Sequence, residues 1–369
     1  MTLPATGLRL VSILVAVVLL AGCAFRPPAG VLQPMAVPTP PQIVEVLAVT
    51  NRVPASDGGF GPVRATDLSY ELYSISVPLG SNSTEITYAS TKPDPAREFL
   101  VLSRTPLTKA QFINEVRRRK TATGAGGLYV HGYNQSYQEA LFRLAQVSAD
   151  AGAGGPVVLF SWPSEASLFG YVADRDTSLS SRDDLAEVMT MLTGEAGLKQ
   201  LVVAGHSMGT FLVMETARQL KLSGKTAVLS KLGFILAAPD IDPDLFRTQL
   251  QTIGRTDPPI LVMVSRDDQA LAISSQLSGN RPRVGLMDFN DPSVQAAVKE
   301  FGITVIDITS VQAGDPFKHD GFASMAKFAS RLAAAEGSGI PVATRAGLFV
   351  FDVTKLTLST PVLAGIGSN

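Results

Sequence analysis

The chain has 369 residues, 46% of them hydrophobic and 17% charged, enough apolar material for one large or two modest folded units. Its 31 Lys and Arg against 32 Asp and Glu give a net charge of −1, with no basic run interleaved with aromatics, so no nucleic-acid partner is expected. The single cysteine, Cys23, excludes a disulfide framework within the chain.

Residues 1–22 carry one cation, Arg9, followed by an apolar stretch from Leu10 to Leu20 that is short of the ~20 residues a spanning helix needs. This is the pattern of a secretory signal. Its end, Leu20-Ala21-Gly22-Cys23, resembles the bacterial lipobox, which implies cleavage before Cys23, lipid attachment there and anchorage to a membrane without spanning it. With Ala24 next, the resemblance implies the outer membrane, on its periplasmic side. Residues 23–42 are rich in proline and are expected to form an extended tether at ~3.1 Å per residue.

From Ile43 the pattern becomes globular. "IVEVLAVTNR", "YELYSISVPLG" and "FLVLSRTPL" have the β-formers and the Gly, Pro and Asn boundaries of strands, and "TKAQFINEVRRRK" places Phe112, Ile113 and Val116 on one side of a helix. Residues 43–123 are thus expected to be a β-rich entry segment with a helix, packed on a main domain at 124–337. In that domain short apolar runs alternate with helix-length amphipathic segments, the signature of an α/β fold with a mostly parallel central sheet and helices on both faces. The expected strands are Leu128–Val130, Val157–Ser161, Leu201–Ala204, Phe234–Ala238, Ile260–Ser265 and Ile303–Ile308. A helix opened by Ser181 as N-cap, with Asp184 three residues on, is expected from "SRDDLAEVMTMLTGEAG". Residues 338–369 form a C-terminal extension without a chemical motif.

Reactive groups in such a sheet collect at the carboxyl ends of the strands. There Gly205-His206-Ser207-Met208-Gly209 matches G-x-S-x-G between a strand and a helix, the setting in which a sharp turn lifts a serine hydroxyl clear of the backbone. Ser207 is therefore the candidate nucleophile. The chain offers three histidines as its base. His206 is on the turn itself and points wrongly, and His131, in "YVHGYNQ", is read as bracing its loop. The order nucleophile, acid, histidine selects His319, in "GDPFKHDGF". The acid is expected in "ILVMVSRDDQAL", with Asp268 preferred over Asp267. Asp240 or Asp242, in "AAPDIDPDLF", could serve from the preceding strand, although turn and N-cap chemistry is the favoured reading there. The backbone N–H groups of Met208 and of Tyr133, after the His131-Gly132 turn, are the candidate oxyanion donors. Trp162, Phe169 and Tyr171 are candidates to wall an acyl or alcohol pocket or simply to pack.

"LYVHGYNQSYQEALFRLAQ", "VVLFSWPSEA", "YVADRDTSLSSRDDLAEVMTML" and "VVAGHSMGTFLVMETA" resemble the bacterial family of predicted α/β-hydrolase-fold esterases of unknown function, as do "VTNR", "YELYSISVP", "AAPDID" and "SRDDQAL". The resemblance covers most of Val46 to Leu332. It implies the α/β-hydrolase fold and hydrolase chemistry, with Ser207, Asp268 and His319 in the catalytic roles.

The dispersed histidines and the absence of H-E-x-x-H make zinc hydrolysis an unfavoured reading. "LSGKT" ends like a phosphate loop, but Gln219 stands where that loop requires its first glycine. No cofactor or metal is expected. The sequence thus points to a serine hydrolase acting through an acyl-enzyme on small, surface-bound or lipid-like esters. The competing readings are an inactive tethered scaffold and an acyltransferase using the same residues.

Overall fold

The computed structural model describes residues 26–79, 84–311 and 313–325. Strands covered on both faces need apolar side chains in both directions, and the central strands satisfy this: β4 (Ala125–Val130), β5 (Val157–Ser161), β7 (Leu232–Ala237) and β8 (Leu261–Val264) are buried along their whole length. With β6 (Gln200–His206), β9 (Thr304–Asp307) and the N-terminal β1 (Ile43–Pro54), β2 (Phe60–Ser76) and β3 (Leu100–Leu107) they form one nine-stranded sheet in the order β3-β2-β1-β5-β4-β6-β7-β8-β9. The pairs from β1 to β9 are parallel, while β1–β2 and β2–β3 are antiparallel. The N-terminal strands therefore extend the main sheet, with β1 pairing directly with β5.

Side-chain alternation divides the core between the two faces. Val158, Phe160, Leu201 and Val203 join one apolar cluster, and Val157, Leu159, Val202 and Ala204 join the other. On the first face lie helices α1 (Lys109–Arg118), α3 (Tyr171–Ser180), α4 (Arg182–Thr193), α5 (Met208–Leu222) and α7 (Pro243–Ile253); α2 (Tyr137–Asp150) covers the second. The short α6 (Thr226–Leu229), α8 (Gln269–Leu277) and α9 (Pro292–Phe301) lie in the second half of the chain. Helix α2 is opened by a capping box formed by Ser136 and Glu139. No helix among the described residues is long and apolar enough to cross a membrane.

Two local expectations are corrected. Residues 26–42 do not stand off as an extended spacer: Ala29–Leu32 make a 3-10 turn, Leu32 is fully buried, Gln138 Nε2 donates to Pro27 O at 2.7 Å and Met35 N–H donates to Val101 O at 2.8 Å. The reason is apolar: Val31 and Leu32 join the core cluster that holds Tyr73, Ile75 and Val101. Ser181 does not cap α4 with its side chain. It is held in helical backbone geometry at the end of α3, its hydroxyl donates to Thr177 O at 2.9 Å, and Asp184 instead accepts from Asn51 at 2.7 Å and Arg64 at 3.0 Å.

Candidate active site

Ser207 sits between β6 and α5 with φ 52° and ψ −123°, a left-handed backbone that a serine adopts only when its surroundings impose it. Those surroundings are explicit. Ser207 N–H donates to Ala237 O at 2.9 Å, and its carbonyl accepts from Thr210 N at 3.0 Å, Thr210 Oγ1 at 2.6 Å and Asp240 N at 3.4 Å. Helix α5 also runs hard against the end of β4: a Cβ on Gly209 would stand 2.3 Å from His131 O, a distance no side chain tolerates. A Cβ on Gly132 would stand 2.9 Å from Ser207 Cβ, so the loop after β4 touches the nucleophile turn directly. Met208 N–H opens α5, where helix N–H groups lack intrahelical partners and the dipole favours negative charge, and Tyr133 N–H follows the glycine in contact with Ser207.

His319 lies at the same end of the sheet. Its Nδ1 meets Asp268 Oδ2 at 2.6 Å, while Asp268, almost fully buried, caps α8 by accepting from Leu271 N at 2.9 Å through Oδ1. With Nδ1 donating to the carboxylate, Nε2 is the basic nitrogen. Asp315 Oδ1 fixes the loop by accepting from the N–H groups of His319 at 2.8 Å and Asp320 at 2.7 Å, and Gln269 N–H holds Phe317 O at 2.9 Å. The imidazole packs on His206, the residue before Ser207, with ring centroids 4.5 Å apart. Ser207 Oγ and His319 Nε2 are not hydrogen-bonded in this arrangement. Such contacts are commonly long before substrate arrives and tighten in the Michaelis complex. Burial alone would lower the pKa of His319; the hydrogen bond and charge of Asp268, reinforced by Asp320 and Asp315, outweigh it and raise the value above 6.5. His206 has the opposite balance, since burial and the neighbouring His319 push it well below 6.5 and keep it neutral.

The other candidates have different work. Asp267 is a half-buried partner of Lys318 at 2.6 Å and of Ser265 at 2.9 Å, and that lysine holds its carboxyl below the usual range. Asp242 caps α7, accepting from Asp244 N at 2.9 Å and Leu245 N at 3.2 Å. Asp240 is not turn chemistry: it is buried in an ion pair with Arg283 at 3.0 Å and accepts from Tyr171 Oη at 3.0 Å. His131 is fully buried, with Nδ1 2.8 Å from Gly132 O and Nε2 3.1 Å from Trp162 O, and its ring stacks on Trp162. Burial, with the Arg52 charge, pushes its pKa down to about 3, so it braces the loop as a neutral ring. Trp162 thus packs, Tyr171 bonds Asp240, and Phe169 is 86% exposed. Cys23 lies outside the described residues.

Two supports of the loop after β4 escaped the sequence reading. Arg52, fully buried, donates to Ser161 Oγ at 3.1 Å, Ser164 O at 3.1 Å and Gln135 O at 3.0 Å. Burial lowers its pKa only to about 10, so it stays charged. Asp174 accepts from Asn134 N at 3.2 Å and Glu165 N at 2.6 Å. The one available signal for Arg52 was its position at the end of an apolar strand, in "VTNR". Among the described residues, no group of three or more His, Cys, Asp or Glu could hold a metal ion.

The model of the family described as alpha/beta hydrolase of unknown function (DUF900) matches residues 108–335, more than half of the chain. No curated protein matches it significantly. Among solved structures, Est1E from Butyrivibrio proteoclasticus with ferulic acid bound is similar at 13% identity and a TM-score of 0.37, over 59% of this chain and 90% of that one. A fungal esterase from Rhizomucor miehei is similar at 10% identity and a TM-score of 0.37, over 81% and 84% of the two chains. Esterase Est22 is similar at 12% and 0.38, over 81% of each. At such identities and scores, the fold assignment stands on the family match and the strand order.

Proposed function

The chain belongs to the family of α/β hydrolases of unknown function, and from that premise we propose that it is a serine hydrolase of carboxylic esters working through an acyl-enzyme. The observation that carries the reading is the His319 Nδ1–Asp268 Oδ2 bond of 2.6 Å, built over the strained turn that presents Ser207.

Ser207 Oγ attacks the ester carbonyl carbon as its proton passes to His319 Nε2. The carbonyl oxygen becomes an oxyanion facing the N–H groups of Met208 and Tyr133, each such donor contributing roughly 3–4 kcal/mol to lowering the barrier. The imidazolium, stabilised by Asp268, then protonates the departing alkoxide, and the alcohol leaves an acyl-Ser207. Water attacks this ester, gives its proton to His319 Nε2, and the tetrahedral intermediate collapses to release the carboxylic acid and return the proton to Ser207. Asp268 stays ionised throughout and fixes the tautomer.

The proposal includes lipid attachment at Cys23, on the strength of Leu20-Ala21-Gly22-Cys23, and residence at the outer membrane facing the periplasm. A panel of esters of graded acyl length, run on the wild type and His319→Ala side by side, tests the chemistry. Turnover in the wild type that falls by roughly 10³-fold or more in the variant supports it. Equal rates in both would remove His319 from the mechanism.

A further inference from the structure

Segments beside the loops that carry the site expose large apolar side chains. Leu168, Phe169 and Val172 project from the segment whose carbonyls at Ser167 and Leu168 accept the Tyr133 hydroxyl, beside the oxyanion loop, and Val172 is 71% exposed. Helix α8, capped by Asp268, exposes Ile273 and Leu277, and its Ser274 meets Tyr171 Oη at 2.9 Å, which joins this helix to the Phe169 side. Phe317, two residues before His319, is exposed as well. Six exposed large apolar groups therefore stand on segments that adjoin the site.

The start of the described chain comes to the same place. Arg26 is bonded to Asn134, at its carbonyl (3.2 Å) and its side-chain oxygen, and to Glu139 at 2.8 Å, so residues 26 onward are clamped to the oxyanion loop and the start of α2. Arg26 stands three positions after Cys23, a span of at most ~11 Å. An acyl chain on Cys23 would hold a bilayer within about that distance of the Arg26 backbone, whose side chain reaches Asn134. Apolar side chains on a peripheral protein settle into the headgroup boundary to a depth of roughly 5–10 Å.

From these two independent observations we infer that the apolar rim around Ser207 docks on the lipid bilayer to which Cys23 is anchored, and that the site takes esters presented from the lipid phase. The substrate half rests on the ester-hydrolase reading; the docking half does not.

The test uses the acylated protein reconstituted in phosphatidylethanolamine and phosphatidylglycerol vesicles. Because Cys23 is the one cysteine and is consumed by acylation, Phe169→Cys gives a unique thiol for an environment-sensitive fluorophore, and Ser230→Cys, exposed just before β7 at the opposite end of the sheet, gives the control. The label at 169 should be quenched several-fold more by nitroxide lipids than the label at 230. Equal quenching at both positions, or a Cys23 found unacylated, overturns the docking. In parallel, Phe169→Asp combined with Val172→Asp should lower hydrolysis of a vesicle-embedded long-chain ester by about tenfold and leave a water-soluble short ester within twofold. Loss on both esters or on neither overturns the lipid-phase assignment. Absence of turnover in every form strikes the hydrolase reading and with it the lipid-phase substrate, while the quenching result still decides the docking.

Discussion

At the scale of single residues, His319 and Asp268 set a pH dependence whose sign can be worked out. Folding raises the His319 pKa above 6.5, so its contribution to stability is full below that value and is lost as pH rises through the folded pKa. The proposed catalysis runs the other way, because in it Nε2 must be unprotonated to accept the serine proton. kcat/KM is expected to climb with pH through an apparent pKa above 6.5. In Asp268→Asn the groups that raise the value are reduced while burial remains, so the apparent pKa should fall and kcat should drop roughly 10³- to 10⁴-fold. A pH–rate profile of the two proteins checks both. His131→Asn should lower activity without moving the apparent pKa, since the pKa of about 3 keeps this ring neutral across the working range. Ser207, Asp268 and His319 were legible as candidates because local rules mark them: glycines at a strand-to-helix turn, an acid three positions past a strand, a histidine after both. Arg52 and Asp174 were not, because a buried charge looks like an exposed one until the surrounding carbonyls and N–H groups are in place.

At the scale of elements, the loop after β4 and the turn before α5 behave as one unit. Gly132→Ala forces a Cβ to 2.9 Å from Ser207 Cβ, so the loop must shift and displace the Tyr133 N–H; kcat should fall by about 10²-fold with a modest loss of stability. Gly209→Ala meets backbone at 2.3 Å and is expected to lower the unfolding free energy by about 1–3 kcal/mol, measured by urea denaturation. Arg52→Met leaves the carbonyls of Ser164 and Gln135 without their donor, and at about 1–3 kcal/mol for each buried unsatisfied group the variant should unfold at distinctly lower urea. The element pattern itself was readable where both faces of a strand are buried. Val157–Ser161 coincides with β5, and the other central strands differ only at their ends. The first half of β2, from Phe60, was missed because it is largely solvent-facing and carries little apolar alternation. Helix α3 was missed because it abuts α4, with Ser181 continuing the helical backbone between them.

At the scale of the whole molecule, one sheet brings distant loops to a common end. β4 leads into the loop of the proposed oxyanion donor Tyr133, β6 into the turn of the proposed nucleophile, β8 towards Asp268, and the loop beyond β9 carries His319, with a net charge of −1 that gives no long-range pull on charged substrates. The sheet order was not readable from local signals, because pairing of β1 with β5 depends on contacts more than a hundred residues apart. The same is true of the packed course of residues 26–42, which composition alone presents as an open spacer. Cys23→Ser should move the protein from the membrane to the soluble fraction on cell fractionation, and leave the hydrolysis of soluble esters unchanged. The most direct test of the central claim is mass spectrometry of the folded protein after exposure to a fluorophosphonate probe. One adduct on Ser207, absent in Ser207→Ala and formed at least 10²-fold more slowly in Asp268→Asn, is the expected result. A folded, unlabelled protein, or an adduct on a different serine, would contradict it.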